Sequence, residues 1–195
     1  VPSSIVTDSQ GAIYVLGTTG SSDFPITAGA FDETFCGNGN LNLDACCNYP
    51  GGGGLPMGSS LFVMKFAPAA GGSNLESSTF IGGCNGPSGV NRGDVLAYNY
   101  GDVFRGEINV DAQDRPWVAS VTGASDFPVV NAPFPAYGGG STDAVLFRLS
   151  NDLSALEWST FVGGSSADAA YGVQFTPGGE PVLCGGTTSG LSLIH

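Results

Sequence analysis

The chain has 195 residues, 32 of them Gly, and a formal net charge of −12. So acidic a surface repels phosphate backbones and argues against a nucleic-acid partner, while the 11% of charged residues falls far short of a coiled coil or a charged disordered tail. Gly is a poor helix former and no run of about 18 apolar residues occurs, so short strands joined by turns are expected, with no helix inserted in a membrane.

The chain opens on Val1-Pro2 rather than Met, which is compatible with the removal of an export signal. Ile13-Tyr14-Val15-Leu16 is apolar on both faces and reads as an inner strand clamped between neighbours. A long Gly-, Asn- and Cys-rich stretch follows, and then strand-like runs at Leu61–Phe66 and Ser78–Gly83. A second such stretch leads to four runs, Glu107–Asp111, Trp117–Thr122, Ala144–Leu149 and Leu156–Val162. Turn residues separate them, among them Gln113-Asp114-Arg115-Pro116 and Ser150-Asn151-Asp152. The last run is Val182–Thr188.

These runs repeat. Ser78-Thr79-Phe80-Ile81-Gly82-Gly83 returns as Ser159-Thr160-Phe161-Val162-Gly163-Gly164, and Ser22-Asp23-Phe24-Pro25 returns as Ser125-Asp126-Phe127-Pro128. A third copy starts after Gly164, with Thr187-Thr188 echoing Thr18-Thr19. Aligned on those threonines, the copies are spaced 103 residues (Thr19 to Thr122) and 66 residues (Thr122 to Thr188). The excess in the first copy falls mostly in two insertions, residues 36–58 and 84–100.

A repeat of four antiparallel strands is the unit of a β-propeller blade. The fold class expected is therefore all-β. Residues 1–83 form a first blade with its Cys-rich loop, 84–164 an inter-blade insertion and a second blade, and 165–195 the first half of a third. Two and a half blades cannot close a ring of four to eight, so a fragment of a longer polypeptide is expected.

The combination of Ser-Asp-Phe-Pro (22–25, 125–128), Ser-Thr-Phe-Ile/Val-Gly-Gly (78–83, 159–164), Asp143-Ala144, and the paired threonines 18–19 and 187–188 resembles the bacterial SBBP β-propeller repeat family. That family is common in secreted and surface proteins of Bacteroidota. The resemblance implies a propeller in a large exported protein, often a surface adhesin or filament component sent out by the type IX route, with no catalytic residues. Its partners would be other surface or filament proteins, or further domains of the same polypeptide.

Five cysteines in an acidic, Lys-poor chain point to an oxidising, extracellular or cell-surface location. Cys36, Cys46, Cys47 and Cys84 lie in or beside the two insertions. In an up-and-down blade both insertions emerge on one face, where these cysteines meet. Adjacent cysteines rarely bond each other, so Cys84 is expected to pair with one of the trio and the other two together. A four-cysteine zinc site is the rival, but no Cys-x-x-Cys spacing favours it. Cys184, in an inner-strand run, reads as a small buried apolar residue.

Other chemistry is sparsely supplied. The single histidine, His195, stands at the chain end, which disfavours a Ser-His-Asp triad. The 17 acids leave a propeller glycosidase as one alternative, although the sialidase signature is absent. Asp8 and Asp111 occupy equivalent turns, with Pro177 at that place in the third copy, and Asp111 with Asp114 is a candidate calcium site beside the simpler turn-capping role. Asp23 and Asp126 are expected to cap turns, Phe24 and Phe127 to plug the gap between blades, and Pro25 and Pro128 to stop a strand. Trp117 and Trp158 read as core. Tyr49, Tyr98 and Tyr100 lie in the insertions and suit glycan contacts, which makes a carbohydrate-binding module the other alternative. Gly51-Gly52-Gly53-Gly54 lacks the lysine of a phosphate loop. The expectation is a non-catalytic structural or adhesive segment whose interaction face carries the insertions.

Overall fold

The computed structural model describes residues 2–36, 60–84 and 106–190. All ten elements in it are strands: β1 (Pro2–Thr7), β2 (Ile13–Thr19), β3 (Ser60–Ala69), β4 (Gly72–Ile81), β5 (Glu107–Val110), β6 (Pro116–Thr122), β7 (Asp143–Leu149), β8 (Leu156–Val162), β9 (Asp168–Phe175) and β10 (Pro181–Thr187). They make two four-stranded antiparallel sheets in chain order, β1-β2-β3-β4 and β5-β6-β7-β8, and a two-stranded sheet of β9 and β10. The protein is thus all-β across the described residues.

The repeat is visible in the turns. Asp8 Oδ1 accepts the N–H groups of Gln10 and Ala12 at 2.9 and 2.8 Å, and Asp111 Oδ1 those of Gln113 and Arg115 at 2.9 and 3.0 Å. Thr176 Oγ1 does the same for Gly178 and Glu180, both at 3.2 Å. Three residues after each cap the backbone turns left-handed, at Gly11, Asp114 and Gly179, with φ of 80°, 60° and 88°. Glycine takes that conformation without a Cβ penalty, and Asp is among the few side chains that tolerate it. Seven-residue strands follow, ending at Thr19, Thr122 and Thr187, whose hydroxyls each accept the N–H two residues on.

This geometry corrects the third copy by one residue. The counterpart of Asp8 and Asp111 is Thr176, not Pro177, and the counterpart of Thr19 and Thr122 is Thr187, not Thr188. The doubled threonine at 187–188 invites the slip, and the equal length of the turns removes it.

The middle sheet is covered on both faces, and its sequence shows why. Successive residues of a strand point to opposite faces, so a strand with neighbours on both sides must be apolar at every position. Val118, Val145, Phe147 and Phe161 join Tyr14, Leu16, Val63 and Ile81 of the first sheet in one core. Trp117, Ala119, Ala144 and Leu146 join Ala170 and Val173 of β9 in another, with Trp158, Val162, Phe175 and Leu183 half-buried against it. Trp117 and Trp158 thus belong to that second core, with ring centroids 5.4 Å apart.

Cys184 is exposed, not buried. Its counterpart on β2 is Leu16, fully buried beneath β3 and the middle sheet. Among the described residues β10 pairs only with β9, so nothing stands over Cys184 or over Val182, which is 51% exposed.

Candidate functional site: the loop-bearing end of the sheets

In an antiparallel four-stranded sheet the first-to-second and third-to-fourth turns share one end. The second-to-third connection and the link to the next sheet share the other. Both insertions therefore leave from the second end.

Each second-to-third connection first crosses to the outer edge of the fourth strand. In the first sheet, Thr27 N donates to Ser78 O at 3.1 Å, Ser78 N to Thr27 Oγ1 at 2.9 Å, Phe80 N to Asp32 O at 3.0 Å and Asp32 N to Thr79 Oγ1 at 3.0 Å. In the second, Ser159 N donates to Val130 O, Val130 N to Ser159 Oγ, Phe161 N to Phe134 O and Phe134 N to Thr160 Oγ1. The Ser-Thr-Phe repeat thus clothes an edge strand, supplying hydroxyl partners where a flat edge would otherwise invite another chain.

The Ser-Asp-Phe-Pro repeat departs from expectation in part. Phe24 packs on Phe62 and Phe80, and Phe127 on Phe147 and Phe161, each on the third and fourth strands of its own sheet. Phe127 also belongs to the core between the first two sheets. The prolines do not stop the strands, which end several residues earlier at the threonine turns. Asp23 accepts the Ser21 hydroxyl, whereas Asp126 accepts the backbone N–H of Cys84 at 3.0 Å and so ties its loop to the end of the first sheet.

Cys84 is bonded to Cys36, with Cα atoms 4.8 Å apart. Cys36 N also donates to Ser60 Oγ at 3.3 Å. The disulfide joins the root of one insertion to the root of the other. Cys46 and Cys47, left over from the trio, lie outside the described residues, as do Tyr49, Tyr98, Tyr100 and His195. The bond to Cys36 leaves as the remaining pair the two adjacent cysteines that the adjacency argument disfavours.

The same corner of the middle sheet is built from acids. Asp143 stands where Ser60 stands in the first sheet, and its Oδ2 accepts Gly138 N at 2.5 Å. Asp168, at the head of β9, accepts Gly164 N at 2.7 Å and the Ser189 hydroxyl at 2.8 Å through its own Oδ2. Both residues are buried, at 0% and 2% exposure. Burial pushes the Asp143 carboxyl up to about 6; the Gly138 N–H works against that and the charge on Asp168 adds to it. Gly140, left-handed at φ 71°, lies so close to Ser166 that a Cβ would stand 2.4 Å from its carbonyl carbon. Sequence reasoning passed over this pair as site residues. The available signal was an ionisable residue opening an apolar strand at a position held by serine in the other copy.

At the opposite end, Asp111 and Asp114 face different partners. Asp111 Oδ2 takes Arg115 Nε at 2.8 Å and the Trp117 indole N–H at 3.1 Å, beside its two backbone donors. Burial raises its pKa, but the Arg115 side chain, the backbone and the indole outweigh that and hold it below the ordinary value. Asp114 reaches back to the first sheet, accepting Ser9 N at 2.9 Å and the Ser9 hydroxyl at 2.6 Å. Tyr14 adds a second tie, its hydroxyl donating to Asn151 O at 3.0 Å. These two acids are thus engaged by protein donors, and among the described residues no three His, Cys, Asp or Glu side chains are grouped to hold a metal.

No family model and no curated protein matches the sequence.

Proposed function

We propose that this chain is a non-catalytic, extracellular β-propeller segment of the SBBP type, acting as a structural or adhesive module of a bacterial surface protein. In this reading the two four-stranded sheets are blades and β9–β10 opens a third. The observation that carries it is the stacking of repeated sheets face to face: the middle sheet is apolar on both sides and the same capped hairpin opens all three units. The Cys36–Cys84 bond supports an oxidising location, and it ties the roots of the two insertions together. That end is the interaction surface, because loops held by a rigid scaffold carry most contacts.

The test replaces residues 38–58 and 86–100 with short linkers and keeps Cys36 and Cys84. Circular dichroism should report the same strand content, while cross-linking to partners on the surface of the producing cell should be lost. Unchanged cross-linking by the shortened protein would defeat the reading.

A further inference from the structure

The corner where β7, the end of β8 and β9 meet holds an unusual arrangement. A methyl group grown on Gly163 would stand 2.7 Å from Asp143 Oδ1 and 3.0 Å from Asp168 Oδ2, so these two oxygens lie within 5.7 Å of each other. Each Oδ2 accepts a backbone N–H, and that of Asp168 also accepts the Ser189 hydroxyl. Asp143 Oδ1 and Asp168 Oδ1 are buried with no hydrogen-bond partner among the described residues. Among the described residues the surroundings bring no positive charge. β6 opposes Asp143 with Thr122, the end of β8 brings Gly163 and Gly164, the preceding loop brings Gly138 and the Tyr137 hydroxyl, which donates to Gly140 O, and β9 brings Asp168 itself. The three cations among the described residues are engaged elsewhere: Lys65 with Glu76, Arg115 with Asp111 and Glu157, Arg148 with Glu157.

A buried acceptor without a donor is costly, and two like charges in one buried corner are costlier. One proton removes the like-charge pair and one of the two unsatisfied acceptors, since a protonated carboxyl becomes a donor and loses its charge. We propose that Asp143 and Asp168 form an acid-tightened clasp between the middle sheet and the β9–β10 hairpin, closed when Asp143 carries a proton and loosened when that proton leaves. Asp168 is well placed to transmit the change. It holds Gly164 at the end of β8 and Ser189 just past β10, and its own N–H donates to Thr142 O at 2.8 Å, so three segments separate if it shifts.

The sign follows from linkage. Asp143 has a folded value near 6 against 3.8 unfolded, so its contribution to stability is full below the unfolded value and is lost as pH rises through about 6. The clasp needs nothing from the propeller reading, because it joins two elements of the described fold.

Amide exchange of β9 and β10 tests it, read as protection factors at pH 5 and pH 7.5. The unaltered protein should lose about tenfold or more in protection at the higher pH, relative to β2 and β6 in the same sample. Asp143→Asn supplies an amide donor at every pH and should keep the hairpin protected at both; Asp168→Asn gives a second reading should the first variant fold poorly. Equal protection at the two pH values in the unaltered protein, or an undiminished loss in both variants, would overturn the clasp. So would full recovery of protection at pH 7.5 on adding calcium to the unaltered protein, which would make the pair a cation site.

Discussion

The two junctions between neighbouring sheets are made from equivalent strands and end up differently packed. At the first, Tyr14 and Leu16 of β2 are completely buried beneath β3 and the middle sheet. At the second, their counterparts Trp117 and Ala119 of β6 are buried against β9, but Leu183 of β10 is only half-buried there, and Val182 and Cys184, on the face of β10 turned away from the middle sheet, are exposed. The first junction is also tied by polar links at several heights: Ser9 to Asp114, Tyr14 to Asn151, Ser4 Oγ to Ile108 N and Phe31 N to Leu153 O. The second relies on Glu107, which accepts Val173 N at 2.7 Å, on the Asn109 amide, which donates to Val173 O, and on the acid pair at the far corner. Burial of a residue is therefore decided by what stands opposite it. An apolar strand facing four strands becomes core, and the same kind of strand lacking its neighbour does not.

The largest effect expected is the asymmetry itself. Phe147→Ala, at a fully buried position of the first junction, should cost about 3–5 kcal/mol in urea unfolding, the usual range for a large aromatic removed from a core. Trp158→Ala, on the half-buried rim of the second, should cost about 1–2 kcal/mol. Equal losses would break the comparison.

Cys36→Ser comes next. It opens a covalent loop with a sequence separation of 48 residues and should lower stability by about 2–4 kcal/mol, with no further loss on adding reductant. A variant as stable as the oxidised parent would show that the bond contributes nothing to holding the loop roots.

Asp111→Asn sharpens the contrast between the acids. The folded value of Asp111 lies below 3.8, so its stabilising contribution is present above that value and is lost as pH falls through the folded one. The melting temperature of the variant should fall less steeply between pH 4 and pH 2 than that of the parent. Asp143 acts in the opposite sense and at higher pH, so a parallel shift of both limbs in the variant would contradict the assignment.

Much of the fold was legible because its signals are local. The strand runs of the second copy coincide with β5 to β8 to within about a residue, since period-two alternation and turn residues need only near neighbours. The capping roles of Asp8 and Asp111 were legible for the same reason: each accepts N–H groups two and four residues on. Asp114 was not. Its left-handed backbone is a local feature, but its carboxylate serves Ser9, 105 residues away. Asp126 likewise reaches beyond its own turn, accepting the backbone N–H of Cys84, 42 residues away.

The sequence by itself determined the all-β class, the repeat, the position of the two insertions and the shared end from which they leave. Those follow from spacing, alternation and antiparallel order, which are properties of a chain read one neighbour at a time. Tertiary structure alone decided that Cys84 bonds Cys36, that Cys184 lies open, and that Asp143 meets Asp168 in a corner to which no described residue brings a cation. These outcomes depend on which strands face each other and how closely, because bond formation, burial and carboxyl repulsion all act through space and are indifferent to distance along the chain.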